Sequence, residues 1–142
     1  MTDADVGRNL AVVREYHERV WMHGDLAALE DCWAPDATVN ITGFESSALD
    51  AMRDDILRYQ GAFTDVTAVI HDLIAQGDQV VLNWETSGLH VGPYGSIAAT
   101  GRVITMTGID IFRVVDGRIV ECRSLWDGLS VYEQMGVLTA PD

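Results

Sequence analysis

One aspartate stands alone in an apolar row, and it is the residue through which chemistry is most legible in this sequence. Ile104, Met106, Gly108, Asp110 and Phe112 alternate onto one face of a strand that runs up to the turn Asp116-Gly117. A carboxyl group among Met106, Phe112 and Trp126 loses solvation in its charged form, so it is expected to hold its proton near neutral pH. Such an acid can donate to a carbonyl, enolate or epoxide oxygen as negative charge grows there. The structural alternative for Asp110 is an ion pair with Arg102 or Arg123, or a bond from a backbone amide.

Strand register decides which residues accompany it. A two-residue loop at Asp116-Gly117 would set Asp110 opposite Arg123. A three-residue loop with Gly117 in a left-handed bulge would instead bring Val120, Cys122, Ser124 and Trp126 to its face, with Glu121 and Arg123 on the other. The second register keeps charge away from the apolar row, as a half-buried sheet requires, and is the one expected.

His17 and His90 are the candidate neutral-pH bases. His17 borders the apolar stripe of a first helix beside Tyr16, where helix packing is its plain alternative; His90 ends a strand at a Gly-Pro turn, which a hydrogen bond from its ring would stabilise. Asn40 and Ser124 are polar at positions expected to point inward, and Trp84, Met106, Phe112 and Trp126 would form an apolar wall or simply core. Cys122 has no basic neighbour to activate it and reads as a buried thiol along that wall. No His/Cys/Asp cluster has metal-ligand spacing and no glycine-rich phosphate loop occurs, so neither a metal nor a nucleotide cofactor is implied.

The elements that must position these residues follow from periodicity. Helical spacing predicts an amphipathic helix from Asp5 to His23, closed at Gly24, and a second short helix capped by Asp25, with Leu26, Leu29 and Trp33 on one side and Pro35 as its stop. Ala37, Val39 and Ile41 then alternate as a strand with Thr38 and Asn40 on the opposite face. Ser47 and Asp50 start a third helix carrying Leu49, Met52, Ile56 and Tyr59. Strands are predicted at 66–75, 79–91, 102–115 and 118–126, with one inward row formed by Val80, Leu82, Trp84, Thr86, Gly88 and His90, and a last helical turn begins near Gly128. Three helices followed by a bent antiparallel or mixed sheet make an α+β arrangement, a cone-shaped barrel enclosing a cavity.

Length and charge bound the function. The 142 residues fit one domain, and 22 acidic against 9 basic side chains give a formal charge of -13, which disfavours nucleic acid and anionic membranes as partners. The acidic, polar start MTDADVGRNL lacks the layout of a secretory signal and no apolar run reaches membrane-spanning length, so a cytoplasmic protein with Cys32 and Cys122 as free thiols is expected.

The segments GDLAALEDCWAPDATV, GAFTDV, GDQVVLNWETSGLHVG, ATGRV, IDIFRVVDGRIVECRSLWD and YEQMGVL resemble the nuclear transport factor 2-like superfamily and, within it, the SnoaL-like polyketide cyclases. The resemblance spans nearly the whole chain. It implies the α+β barrel, a hydrophobic small-molecule substrate, no cofactor, and a homodimer formed through the outer face bearing Ile109, Ile111 and Leu125. In SnoaL-type aldol cyclases the acid of the last strand would fall on Ser124 and an inward histidine on Asp110, so both positions differ here; epoxide hydrolases of this fold also carry an acid at the Ser124 position. IDIFR instead looks like the ketosteroid isomerase segment whose aspartic acid donates in the oxyanion hole, at Asp110. That enzyme's tyrosine would fall on Tyr16, or on His17 with one inserted residue, and its general base on Ile41, beside Asn40. Gly88-Leu89-His90 matches the family's Gly-x-His.

The sequence thus points to a cofactor-independent cyclase or isomerase acting by acid–base catalysis on a hydrophobic carbonyl compound, most readily a polyketide. Asp110, His17, His90 and Tyr16 would be catalytic, and Asn40, Trp84, Met106, Phe112, Cys122, Ser124 and Trp126 would contact substrate. An epoxide-opening or ketosteroid-isomerase-like reaction, and a non-catalytic ligand-binding or dimerisation domain, are the alternatives.

Overall fold

The computed structural model of the chain describes residues 2–42 and 49–138. Helix α1 (Asp3–His17) opens with a capping box in which the Thr2 side chain accepts from the Asp5 backbone N–H and the Asp5 carboxylate accepts from the Thr2 backbone N–H. The predicted first helix does not continue regularly to His23. Its last turn, Glu18–Met22, is π-helical, and Gly24 closes it at φ 70° with its N–H on the Val20 carbonyl. In an α-helix, residues five apart diverge by about 140° around the axis, whereas i→i+5 winding lines them up. Trp21 therefore meets Tyr16, five residues earlier, and its Nε1 donates to the Tyr16 hydroxyl at 3.1 Å.

After α2 (Ala28–Cys32) the chain becomes extended at once, in β1 (Trp33–Ile41). Trp33 is thus a strand residue, and Pro35 lies within the strand instead of stopping a helix. This is tolerated because β1 is an edge strand whose register with its neighbour shifts between Trp33 and Thr38, where a missing N–H costs no ladder bond. Helix α3 (Leu49–Ala62) follows; its expected start at Ser47 lies outside the described residues. Strands β2 (Phe63–Gln76), β3 (Gln79–His90), β4 (Val103–Val115) and β5 (Arg118–Trp126) form an antiparallel meander, and α4 (Gly128–Gln134) closes the described chain.

The five strands lie in the order β1-β5-β4-β3-β2, with β1 parallel to β5 and the remaining pairs antiparallel. Helices cover the inward face of a mixed sheet, as the α+β expectation has it, and among the described residues the sheet is not closed, since its two edges β1 and β2 are not paired with each other. Nor do three helices precede it: β1 enters the sheet between α2 and α3. Tyr16, Leu29, Trp33, Val80, Leu82, Phe112 and Ile119 are fully buried in the core between helices and sheet. The outer face keeps apolar side chains in solvent, including Ile109 at 45% and Leu125 at 54% exposure.

The β4–β5 hairpin reaches the expected register by a different device. Asp116 and Gly117 both have positive φ, 50° and 76°, which makes a two-residue turn with Val115 opposite Arg118. A bulge then slips the strands between Arg113 and Val114, so Val114 faces Ile119 while Arg113 faces Glu121. Beyond it Phe112 pairs with Cys122, Asp110 with Ser124 and Gly108 with Trp126. Because the extra residue sits at the bulge, Ile119 is fully buried and Val120 only half-buried, opposite to the expected placement of Val120.

Candidate active site

Asp110 points inward from β4 and is only 5% exposed. On the neighbouring strand Trp84 lies opposite Gly108, where a side-chain carbon would collide with the indole. Glycine at that position lets the ring fold across β4, and its Nε1 donates to Asp110 Oδ1 at 3.1 Å. Ser124 lies opposite Asp110 on β5, with its hydroxyl beside the carboxyl. Burial pushes the Asp110 carboxyl up to about 6, while the neighbouring Ser124 hydroxyl and Trp84 N–H pull it down and the Asp55 charge adds to the rise. No arginine pairs with Asp110 among the described residues: Arg102 donates to the Gln134 carbonyl at 2.8 Å, and Arg123 is exposed opposite Ile111. The pKa is raised by burial, as the apolar row predicts, and at about 6 the group can exchange a proton near neutral pH.

The facing wall is helical. His17, 2% exposed, has no hydrogen-bond partner at either ring nitrogen among the described residues, and burial pushes its pKa down to about 4. It is neutral at physiological pH, with one N–H and one lone pair uncommitted. Trp21, Met52, Asp55 and Tyr59 complete this wall. Tyr59 has Thr86 beside its hydroxyl but no hydrogen bond of full geometry, and burial raises its pKa. Asp55 accepts from Arg58 at 2.8 Å; burial raises its pKa and the guanidinium opposes that.

Together these side chains enclose a chamber of about 40 Å³, with Asp110, Ser124, Trp84, Thr86, Met106 and Ile41 on the sheet side. That is room for about three waters. Tyr94 and Trp126 line both this chamber and an open groove of about 770 Å³, whose other walls include Arg58, Ile97, Tyr132 and Met135. The Trp126 Nε1 donates to the Thr42 carbonyl at 2.9 Å, and its ring meets Tyr132 edge-on at 6.0 Å.

Of the residues singled out in the sequence, Asp110, His17, Trp84, Met106, Ser124 and Trp126 meet at the chamber. The others do not line it. His90 is buried at the far end of β3, where Nδ1 accepts from the Thr100 N–H at 3.2 Å and the ring stacks on Phe63 at 5.1 Å, so it fastens the β3–β4 loop. Tyr16 lies in the core behind the chamber, packed edge-on against Trp33 and Phe112, and burial, then Cys122 and Asp110, hold its hydroxyl well above the ordinary tyrosine range. Phe112 and Cys122 belong to the same core, and burial likewise holds the Cys122 thiol protonated. Asn40 is exposed, because Val39 and Ile41 take the inward positions of β1.

The chamber residues that sequence reading did not assign to the site are Trp21, Asp55, Tyr59 and Tyr94, together with Ile41, Met52 and Thr86. Asp55 follows Met52 by three and precedes Tyr59 by four, the spacing of one helix face, so the signal was present. Trp21 reaches the chamber through the π-helical turn, which leaves no comparable trace. Among the described residues no His/Cys/Asp/Glu group could hold a metal ion, and no helix is long and apolar enough to cross a membrane. Cys32 and Cys122 are free thiols. The chain has no lysine, so a Schiff base has no side-chain amine to form on.

Solved structures agree with this architecture. TsrD from Streptomyces laurentii is 28% identical, with TM-score 0.81 over 97% of this chain and 99% of its own. IdmH from Streptomyces antibioticus, proposed to be a polyketide cyclase, is also 28% identical, with TM-score 0.79 over 91% and 99%. AclR from Streptomyces galilaeus, proposed to be a hydroxylase, shares the fold at TM-score 0.85 with 22% identity, over 96% and 86%. No curated protein matches the sequence. Residues 11–135 match the family described as SnoaL-like polyketide cyclase, and the chain belongs to that family.

Proposed function

We propose that the protein is a cofactor-independent cyclase or isomerase that moves a proton next to a carbonyl group of a hydrophobic substrate, a polyketide intermediate being the class its family favours. The observation that carries this reading is Asp110: a buried carboxyl that accepts from the Trp84 indole, lies beside the Ser124 hydroxyl and lines a chamber, with no arginine paired to it among the described residues. A pKa near 6 suits a general base at neutral pH, strong enough to take an acidified α-proton and mostly ionised beforehand. The N–H of neutral His17, uncommitted among the described residues, would donate to the carbonyl oxygen as it becomes an enolate, and the Tyr59 hydroxyl would share that task. In a ring closure, the proton taken from carbon by Asp110 would pass to the oxygen formed when the new carbon–carbon bond is made, so the residue leaves the cycle as it entered. The chamber is too small for a whole ring system, since a cavity of roughly 150 Å³ is what benzene fills. Only the reacting carbons and oxygen would enter, with the body of the substrate against Tyr94, Trp126 and Tyr132 in the groove.

The test needs no knowledge of the natural substrate. In deuterated buffer, NMR should show the protein accelerating exchange of the α-protons of 1-phenylbutane-1,3-dione, with a rate that climbs with pH through a midpoint near 6 as Asp110 ionises. A rate that falls through the same midpoint would make Asp110 the acid, and exchange no faster than in buffer would remove the proton-transfer reading.

A further inference from the structure

We propose that Asp55 is a positioning residue of this site: its carboxylate, anchored by Arg58, shares the chamber with Asp110 and strengthens Asp110 as the proton acceptor. The inference rests on the reading of Asp110 as the base. Its geometric ground is the size of the chamber. Asp55 and Asp110 line one cavity of about 40 Å³, from α3 and β4 respectively, and the Asp55 charge acts on Asp110. Two like charges so placed repel, and each makes the other hold a proton more readily.

The choice of partner within α3 points the same way. Arg58 lies four residues after Asp54 and three after Asp55, so an ion pair on the solvent side, with the exposed Asp54, was open to it at favourable spacing. It pairs instead with Asp55, which is only 20% exposed, at 2.8 Å. Arg58 is itself held, with its guanidinium 5.6 Å from the centre of the Tyr94 ring. Asp55, Arg58 and Tyr94 thus form a post between chamber and groove, with Asp55 on the inner side, Arg58 on the outer and Tyr94 on both. Among the described residues, the groups around Asp110 from every packed element are Trp84 on β3, Ser124 and Cys122 on β5, Tyr16 and His17 on α1, and Asp55 and Tyr59 on α3. His17, Tyr16, Tyr59 and Cys122 are uncharged at neutral pH, which leaves Asp55 as the one charged neighbour in that set.

The experiment follows the Asp110 carboxyl carbon by NMR through a pH titration of carbon-13-labelled full-length protein, with the Asp110 signal assigned by its loss in Asp110→Asn. Asp55→Asn should lower the Asp110 midpoint by roughly half a pH unit or more, because a like charge has gone. Arg58→Gln should raise it, because the charge on Asp55 is then uncompensated, and Asp55→Glu should keep it near the parent value. The acid limb of the exchange profile should move with the carboxyl midpoint in each variant, which a residue needed only for packing would not cause. A midpoint that stays put in both Asp55→Asn and Arg58→Gln overturns the proposal, and should Asp55→Asn fail to fold, Arg58→Gln and Asp55→Glu decide it. If the unmodified protein exchanges no α-protons, the proposed function falls, while the titration still decides whether Asp55 governs Asp110.

Discussion

The chamber has two walls built on opposite terms. On the sheet side polar groups are gathered on one acid, with Trp84 donating to Asp110 and the Ser124 hydroxyl beside it. On the helical side two are unspent among the described residues: neither nitrogen of His17 has a partner, and the Tyr59 hydroxyl has none of full geometry. Buried polar groups left unpaired cost about 1 to 3 kcal/mol each, so a fold has little reason to keep them unless something else completes them. The contrast divides the labour. The sheet wall holds a base in readiness, and the helical wall waits for the substrate oxygen.

Their responses to pH should be opposite in sign. Asp110 binds its proton more tightly folded, near 6, than the ordinary 3.8, so it favours folding at low pH and loses that contribution as pH rises through 6. His17 is the reverse: held near 4 against an ordinary 6.5, it stays neutral when folded, and stability is lost as pH falls from 6.5 towards 4. Each span is worth roughly 3 kcal/mol at its limit.

The largest effect is expected from Asp110→Asn. Removing a general base lowers the exchange rate by about 10² to 10⁴-fold, while the variant melts higher than the parent at pH 8, where burying a carboxylate costs most. The stability gain should shrink towards pH 4, and a variant no more stable at pH 8 than at pH 4 would contradict the burial argument. His17→Leu comes next. It should slow exchange by roughly 10-fold or more through loss of the oxygen donor, and denaturant titrations at pH 7 and pH 4.5 should show it gaining stability in acid, because the Asp110 contribution is then unopposed. Asp110→Asn should instead lose stability in acid, with the His17 contribution unopposed, which separates the two walls in a single pair of melts. Tyr59→Phe should do least: exchange falls a few-fold, and unfolding free energy changes by less than about 1 kcal/mol because no well-formed hydrogen bond is given up. A larger loss of stability would mean that the Tyr59 hydroxyl is already spent.

The two walls also differ in how far the sequence disclosed them. Strand alternation put Trp84, Met106, Asp110, Ser124 and Trp126 on one side of the sheet, and a bulge at Val120 restored the register that the two-residue turn alone would have shifted. Period two is coarse enough to survive an error in the turn, provided a second irregularity cancels it. The helical wall had no such protection. The π-helical turn re-aims Trp21, and whether Asp55 belongs to core, chamber or surface depends on how α3 is rotated against the sheet.

From the chain alone come the α+β class, the four-strand meander, the acid in its apolar row and the absence of a lysine nucleophile, because each is written in local period or composition. Tertiary structure alone decided that His17 and not His90 faces Asp110, that Tyr16, Phe112 and Cys122 are core, and that a second carboxylate stands across the chamber. The reason is physical: which side chains converge is set by packing between elements distant in sequence, and neither helix rotation nor the unpaired state of a buried nitrogen leaves a mark on local pattern.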